Sequence, residues 1–354
     1  MRILAVDLGP ERRGGQQQTL ALTRELARRG HEVWVAARAG SPLAADVAAA
    51  GGLGLVPVSG GSEASPLVLL DLARAARRLR PDVVYAGEAR AHGAVVWSRA
   101  ARRRPFAVHR RYLAPPRRNP LSWIKYALVD RFFAVSGVVR TALLEGGIPP
   151  DRVVVVEDGL PPGSEVEAPW PEEPPYRLAH VGAFDGQKGQ EVVVAVVERL
   201  AAEGLDVSAT FLGEGPERPR IEAAARSGPA AARFTFAGSV PDVPRRLAAS
   251  HLLVQPSRAE AGGLVLVEAM AAGCPVAVAE VGGTREVLDD GRAGRLVASS
   301  DPAAWTGAVR DLLLAPGERR RLQAEGRALA ARRTIGATAD AVERELTALL
   351  RDAG

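Results

Sequence analysis

One cysteine, two lysines and no long apolar run set the first limits on this 354-residue chain. A single thiol, Cys274, cannot form an internal disulfide, and in its Gly-Cys-Pro setting it reads as a small core filler. No segment approaches the roughly 18 consecutive apolar residues of a membrane span. The opening Met-Arg-Ile-Leu-Ala-Val-Asp reads as a strand and not as a signal peptide. Both point to a cytoplasmic protein. No His/Cys cluster has zinc spacing, and no Asp-x-Asp pair offers itself to a divalent metal. Without a Gly-x-Gly-x-x-Gly after the first strand, a dinucleotide dehydrogenase is not expected. The expected cofactors and metals are therefore none.

What is present suits two ordinary domains, each able to bury its own core. Residues 1–165 carry 24 Lys+Arg against 15 Asp+Glu, a balance of +9; the remainder carries 22 against 26, or −4. The first half therefore looks toward something acidic and the second does not. Because arginine supplies all but two of the 46 basic side chains, Lys125 and Lys188 are each worth inspecting. Apolar strands alternate with helical patterns, first over Ile3–Val6, Val33–Ala36, Leu55–Val58, Val83–Tyr85, Phe106–His109, Phe132–Val135 and Val153–Val156. The alternation resumes over Leu178–Val181, Ser208–Leu212, Phe234–Ala237, Leu252–Val254 and Val276–Ala279. An α/β chain of two mostly parallel, doubly wound sheets is the expectation. The boundaries read as 1–160, a proline- and acid-rich linker over 161–176, a second domain over 177–335, and a final helix over 336–354.

Residues 256–283 organise the second half. An apolar strand ends at Gln255-Pro256-Ser257, and the loop beyond it carries Arg258 and Glu260. Gly262-Gly263 then opens a helix from Leu264 to Ala272, stopped by Gly273 and Pro275. A glycine-rich loop at the end of a strand and the start of a helix brings bare amides and the positive helix end together, which favours a phosphate. Glu268, about a turn and a half into the helix, is placed to accept hydrogen bonds from a diol such as a ribose. Taken alone, Glu260 and Glu268 also fit a loop carboxylate and a solvated helix residue.

The whole stretch is another matter. Pro256-Ser257, Glu260, Glu268-Ala269-Met270-Ala271, Gly273, Pro275-Val276, Gly282-Gly283 and Glu286 resemble, in order, the donor-sugar signature of the retaining glycosyltransferase family 4. That resemblance implies a GT-B fold, two Rossmann-like domains facing a central cleft, with the final helix returning to the first. It also implies transfer of a sugar from a UDP- or GDP-type nucleotide sugar to an acceptor hydroxyl, with the anomeric configuration kept. A glycan or lipid-linked acceptor of the cell envelope, such as lipopolysaccharide, would be served. The Asp-x-Asp metal clamp typical of the other glycosyltransferase architecture is missing, so metal independence is expected.

Other motifs take roles from the same resemblance. Lys188, in Gln187-Lys188-Gly189 after the first strand of the second domain, matches the family's phosphate-binding Lys-Gly. Gly182 ends that strand, and Ala183 stands where the family usually has an arginine. Arg258 is the nearest substitute. Gly238 and Val240 lie in turns resembling those around the nucleotide base. Gly14-Gly15, at the first strand-to-helix turn, is either routine packing or a close approach to ligand. His109, at the end of the fifth strand, is either a satisfied structural residue or a hydrogen-bond partner of donor-sugar hydroxyls. Asp158-Gly159 replaces the usual Asn-Gly. Lys188, Arg258 and the Gly262, Gly263 and Leu264 amides would meet the departing diphosphate, Glu260 the sugar and Glu268 the ribose.

From Arg99 to Lys125 the chain packs nine arginines and lysines plus His109, interleaved with Phe106, Tyr112 and Trp123. No nucleic-acid module accompanies them, so nucleic acid is not an expected partner. The segment suits an anionic membrane or a lipid-linked phosphate, or is a plain solvated loop. Two other functions stay open: a nucleotide-sugar epimerase on the same fold, which the basic first half disfavours, and a non-catalytic nucleotide-sugar-binding subunit, which Ala183 allows.

Overall fold

The computed structural model describes residues 1–60, 62–116, 119–166 and 171–352. The chain divides into two compact units, Met1–Pro161 with Thr334–Gly354, and Pro162–Arg333. Each is built on one parallel sheet. In the first lie β1 (Arg2–Asp7), β2 (Glu32–Arg38), β3 (Gly54–Val58), β4 (Val83–Ala86), β5 (Phe106–Arg110), β6 (Arg131–Ala134) and β7 (Val153–Val155), ordered β3-β2-β1-β4-β5-β6-β7. Strands such as Leu4-Ala5-Val6 are buried without alternation because helices cover both faces of the sheet. Right-handed crossovers put helices Gly14–Arg28 and Pro42–Ala49 on one face. They put Pro66–Leu79, Ala89–Ser98, Pro120–Ala127 and Gly137–Glu145 on the other.

Helix Ile335–Asp352 joins the first of these faces. Its Ile335, Ala339, Val342, Leu346 and Leu349 fall at helical spacing and enter one core with Ile3, Leu22, Leu26 and Val35. The chain leaves and re-enters this unit side by side: Leu160 and Thr334 form a parallel bridge, and the Ile335 amide donates to the Leu160 carbonyl at 2.8 Å. A Cβ at Gly159 would lie 2.2 Å from the Thr334 carbonyl oxygen, so only glycine lets the two segments meet.

The second sheet contains β8 (Tyr176–Val181), β9 (Val207–Leu212), β10 (Phe234–Gly238), β11 (Leu252–Gln255), β12 (Val276–Ala279) and β13 (Arg295–Val297), ordered β10-β9-β8-β11-β12-β13. Its core joins Val193, Val197 and Leu200 of helix Gln190–Ala202 to Trp305, Val309 and Leu312 of helix Pro302–Leu314. Trp305 is wholly buried, and its indole N–H donates to the Ser299 carbonyl at 2.8 Å.

Several local expectations change. The segment read only as basic and aromatic contains helix Pro120–Ala127, started by Pro120 and capped by Asn119, whose side chain accepts from the Ser122 amide at 2.8 Å. Arg110 and Arg111 do not belong to a basic surface. Arg110 is 2% exposed: its guanidinium donates to the Tyr112 and Tyr126 hydroxyls and the Ala114 carbonyl, and lies 3.4 Å over the Tyr112 ring. Arg117 and Arg118 fall outside the described residues, as do residues 167–170 of the expected linker. No described helix is long and apolar enough to cross a membrane.

Candidate functional site

In the second sheet β8 runs out to β9 and β10 on one side, and the chain then returns to place β11 on the other. The gap at the carboxyl ends of β8 and β11 is therefore a topological switch point, where doubly wound sheets bind ligands. Two loops meet there, residues 182–189 after β8 and 256–263 after β11. Gln255, buried at the end of β11, stitches them by donating to the Val181 carbonyl at 3.1 Å and to the Ser257 hydroxyl at 3.3 Å. The Arg258 amide donates to the Gln187 carbonyl at 2.8 Å. Gly189 has a φ of +71°, and a Cβ there would lie 2.2 Å from the Pro256 carbonyl oxygen.

This stitching brings Lys188 onto Glu260. The ammonium donates to Glu260 Oε1 at 2.5 Å, and the Ser257 hydroxyl donates to the same oxygen at 3.1 Å. The Lys188 chain lies over Gly182, where a Cβ would come within 2.9 Å of Lys188 Cγ. Glu260 is buried, and its carbonyl accepts from the Gly283 amide at 2.9 Å, tying in the next glycine pair. Beyond Glu260, Gly262 leads to Gly263, which caps helix Leu264–Ala271 with φ +55° and no capping side chain. The positive helix end thus opens beside the lysine–glutamate pair; the Leu266 amide donates to the Gly263 carbonyl at 2.8 Å, and no side chain among the described residues caps the first turn.

Glu268 sits on this helix, half-buried. Burial alone pushes its carboxyl up to about 7, and no hydrogen bond or ion pair among the described residues holds its charge. Arg258 is placed differently. Its guanidinium, 68% exposed, is paired with Glu191 at 2.7 Å. Ala183 offers only backbone, its carbonyl accepting from the buried Gln190 at 3.0 Å. The turns after β9 and β10 close one flank of the corner: the Gly213 amide donates to the Gly238 carbonyl at 2.9 Å, and Val240 follows, half-buried. Beneath it His180, wholly buried in β8, meets the Val254 carbonyl through Nδ1 at 2.9 Å; burial holds the ring neutral, down to about 4.

His109, Gly14 and Gly15 belong to the first unit. Gly14-Gly15 opens helix Gly14–Arg28, and a Cβ at Gly15 would reach only Arg111 Cδ, at 3.9 Å. His109 is 1% exposed, with both ring nitrogens engaged. Nδ1 accepts from the Tyr85 hydroxyl at 2.9 Å and from Arg111 Nη2 at 3.2 Å, which makes Nε2–H the donor to the Val156 carbonyl at 3.2 Å. Burial and the Arg111 charge push it down to about 3, so it is neutral. Arg111 also holds both Asp158 oxygens, at 2.9 and 3.0 Å, and the Gly87 carbonyl at 2.8 Å. An aspartate in the Asn-Gly position is thus supplied with its own cation.

Gln255, Glu191, Arg111 and His180 were not singled out from sequence as site residues. Only Gln255, next to the Pro-Ser motif at a strand end, carried a local signal. Among the described residues no group of three or more His, Cys, Asp or Glu is placed to hold a metal.

The comparisons divide along the same two units. The model of the glycosyltransferase family 4 matches residues 12–163, and that of the glycosyl transferases group 1 matches residues 165–329. Among curated relatives, the 2-deoxystreptamine N-acetyl-D-glucosaminyltransferase of Streptomyces fradiae is 38% identical over 37% of this chain and 32% of its own length. The D-inositol 3-phosphate glycosyltransferase of a Nocardioides species is 31% identical over 49% of this chain and 44% of its own. The matched region therefore spans less than half the length of these relatives. Among solved structures, Anabaena HepE in complex with UDP-glucose has a TM-score of 0.85 at 18% identity, covering 98% of this chain and 100% of that one. The lipopolysaccharide outer core galactosyltransferase WaaB in its apo form has a TM-score of 0.75 at 15% identity, covering 98% and 99%. With both sheets of the fold, both family models and this shared architecture in place, the chain belongs to the GT-B glycosyltransferases of group 1 and family 4.

Proposed function

We propose that the protein moves a sugar from a nucleotide sugar to an acceptor hydroxyl with the anomeric configuration kept. The observation that carries this reading is the Lys188–Glu260 pair beside a helix end with no capping side chain, at the switch point of the second sheet. Lys188 and the first amides of helix Leu264–Ala271 would face the diphosphate and stabilise the charge it gains as the bond to the sugar breaks. Such preorganised electrostatics are usually the largest catalytic term. Glu260, already turned inward, would accept from sugar hydroxyls, and Glu268 from the ribose diol. Lys188 and the helix end supply the positive charge without a metal ion, so activity should survive excess chelator.

HepE was solved with UDP-glucose, which makes uridine diphosphate the first nucleotide to try. For the acceptor we keep envelope and lipid-linked glycans, with peripheral contact of the protein on the inner face of an anionic membrane. Cyclitols, named in the relatives above, belong in the same panel. The test is a thermal-shift screen of UDP, GDP and their sugars, followed by transfer assays and NMR of the product anomer. An inverted product removes the retaining reading, and loss of all transfer in chelator removes metal independence. A non-catalytic subunit is the second reading, favoured by Ala183: it predicts donor binding with no turnover on any acceptor. Conversion of the donor sugar without acceptor would instead show an epimerase.

A further inference from the structure

Among the described residues, eight large apolar side chains are exposed, and seven belong to one helical layer of the first unit. Leu67 and Leu70 lie on helix Pro66–Leu79; Leu121, Trp123, Ile124 and Leu128 lie on and just after Pro120–Ala127. Val138, on the next helix of the layer, completes the set. Helix Pro120–Ala127 is not held by its own apolar residues. Tyr126 is its one buried side chain, stacked on Phe132 and edge-on to His92. The other anchors are polar: Lys125 Nζ meets Glu63 at 2.9 Å and the Ala89 carbonyl at 3.2 Å, and His92 Nε2 meets the Lys125 carbonyl at 2.9 Å. The fold thus spends its polar contacts on fixing this helix and leaves Trp123 72% exposed.

The same layer carries unpaired charge. Arg77, Arg78 and Arg80 end helix Pro66–Leu79, and Arg99, Arg102 and Arg103 follow helix Ala89–Ser98; all six are exposed. None of the six guanidinium groups has a hydrogen bond or ion pair among the described residues. Arg104, donating to the Ala76 carbonyl at 3.4 Å, joins the two groups at the amino ends of the strands. In the second unit, by contrast, surface arginines such as Arg220, Arg226, Arg246 and Arg321 each face a carboxylate.

We propose that this helical layer is a docking face for an anionic lipid surface. Aliphatic side chains with one tryptophan suit the boundary between headgroups and acyl chains, and unpaired arginines suit the phosphates beside it. Single-stranded nucleic acid would call for several aromatics among the arginines, and here the exposed apolar residues are aliphatic apart from Trp123. The inference rests on the membrane contact proposed above and assigns it to these residues in place of the whole basic segment.

The test uses the full-length protein and sedimentation with phosphatidylcholine vesicles, with and without about a third phosphatidylglycerol. Binding to the anionic vesicles alone, weakening as salt rises, is expected. Trp123→Ser with Leu128→Ser should lower the partition coefficient about tenfold or more. Arg77→Gln with Arg78→Gln and Arg102→Gln should do the same and remove most of the salt dependence. All of these side chains are exposed, so unchanged melting of the variants is the folding control. Equal binding to neutral vesicles, or binding untouched by both variants, overturns the docking face. So does a concentration-dependent dimer that Trp123→Ser abolishes, which would make the face a contact between copies. Preferential capture of an oligonucleotide over anionic vesicles overturns it too. A thermal shift with UDP on the same samples keeps the readings apart. A normal shift without vesicle binding removes the docking face alone, whereas vesicle binding without any nucleotide shift removes the donor-site reading alone.

Discussion

At the carboxyl ends of its strands the first unit sets Arg111 against Asp158, with His109 and Tyr85 beside them, and both ring nitrogens and both carboxylate oxygens find partners. At the same end of the second sheet the Glu268 carboxylate has no partner among the described residues, its helix has no side-chain cap, and Lys188 and Glu260 have chiefly each other. Both places hold charge away from water. One is closed by its own side chains and the other is left open, with its helix dipole and a strained carboxyl unanswered. Buried groups that lack internal partners are the ones a ligand can satisfy. On the function proposed above, the contrast separates residues that hold the fold from residues that would meet a nucleotide sugar.

The largest effect should come from breaking the closed network. Arg111→Ala leaves Asp158 charged and nearly buried, and losing one partner of a buried pair costs about 3–5 kcal/mol. Denaturant melts should show this destabilisation with little change in UDP affinity. Weakened UDP binding at unchanged stability would mean that the first unit's network is not merely structural.

Next comes the open site. Lys188→Ala should remove the proposed charge-assisted contact to phosphate, at a cost of roughly 1.5–3 kcal/mol or ten- to a hundredfold in affinity. Titration calorimetry with UDP measures it, and unchanged affinity would remove Lys188 from the phosphate site.

Glu268 gives a pH signature. Its folded-state pKa, about 7, is above the ordinary carboxyl value, so the stability it contributes is present in acid and lost as pH rises toward and through 7. Glu268→Gln should therefore stabilise the ligand-free protein at pH 8, by roughly 1–2 kcal/mol. A ribose diol donates to the ionised form, so wild-type affinity for UDP should fall about fivefold from pH 7 to pH 6. The Gln variant should lose that dependence, and a flat wild-type profile would argue against a ribose contact.

Arg258→Ala should have the smallest effect on stability, since an exposed pair is worth about 0–1 kcal/mol. Turnover then sharpens the comparison. If Arg258 leaves Glu191 to reach the diphosphate in place of the arginine missing at Ala183, Arg258→Ala lowers turnover while Glu191→Gln does not. Equal turnover in all three proteins ends the compensation idea.

The sequence made the two parallel sheets legible because unbroken runs such as Leu252–Val254 and Val276–Ala279 are what strands covered on both faces require. The approach of Lys188 to Glu260, 72 positions apart, was not legible from pattern alone. It depends on β8 and β11 being neighbours, and only the ordered motif resemblance hinted at that. Neighbours Arg110 and Arg111 looked alike in sequence, as two surface charges. At a strand end they part: one enters a tyrosine cage and the other reaches across to Asp158. Helix Pro120–Ala127 escaped for the opposite reason. Periodicity finds helices whose apolar residues face a core, and most of this one's do not.

The parallel meeting of Leu160 with Thr334 has a consequence for the order in which the molecule can mature. The first unit is discontinuous: its core needs Ile335, Val342 and Leu346, which emerge from the ribosome only after the whole of the second unit. The second unit is one uninterrupted segment and has what it needs to fold during synthesis. The segment begun first is therefore finished last, and until then a stripe of β1, β2 and helix Gly14–Arg28 stays open to chaperones or to aggregation. A chain stopped near residue 333 should contain a sound second unit joined to a first that cannot close.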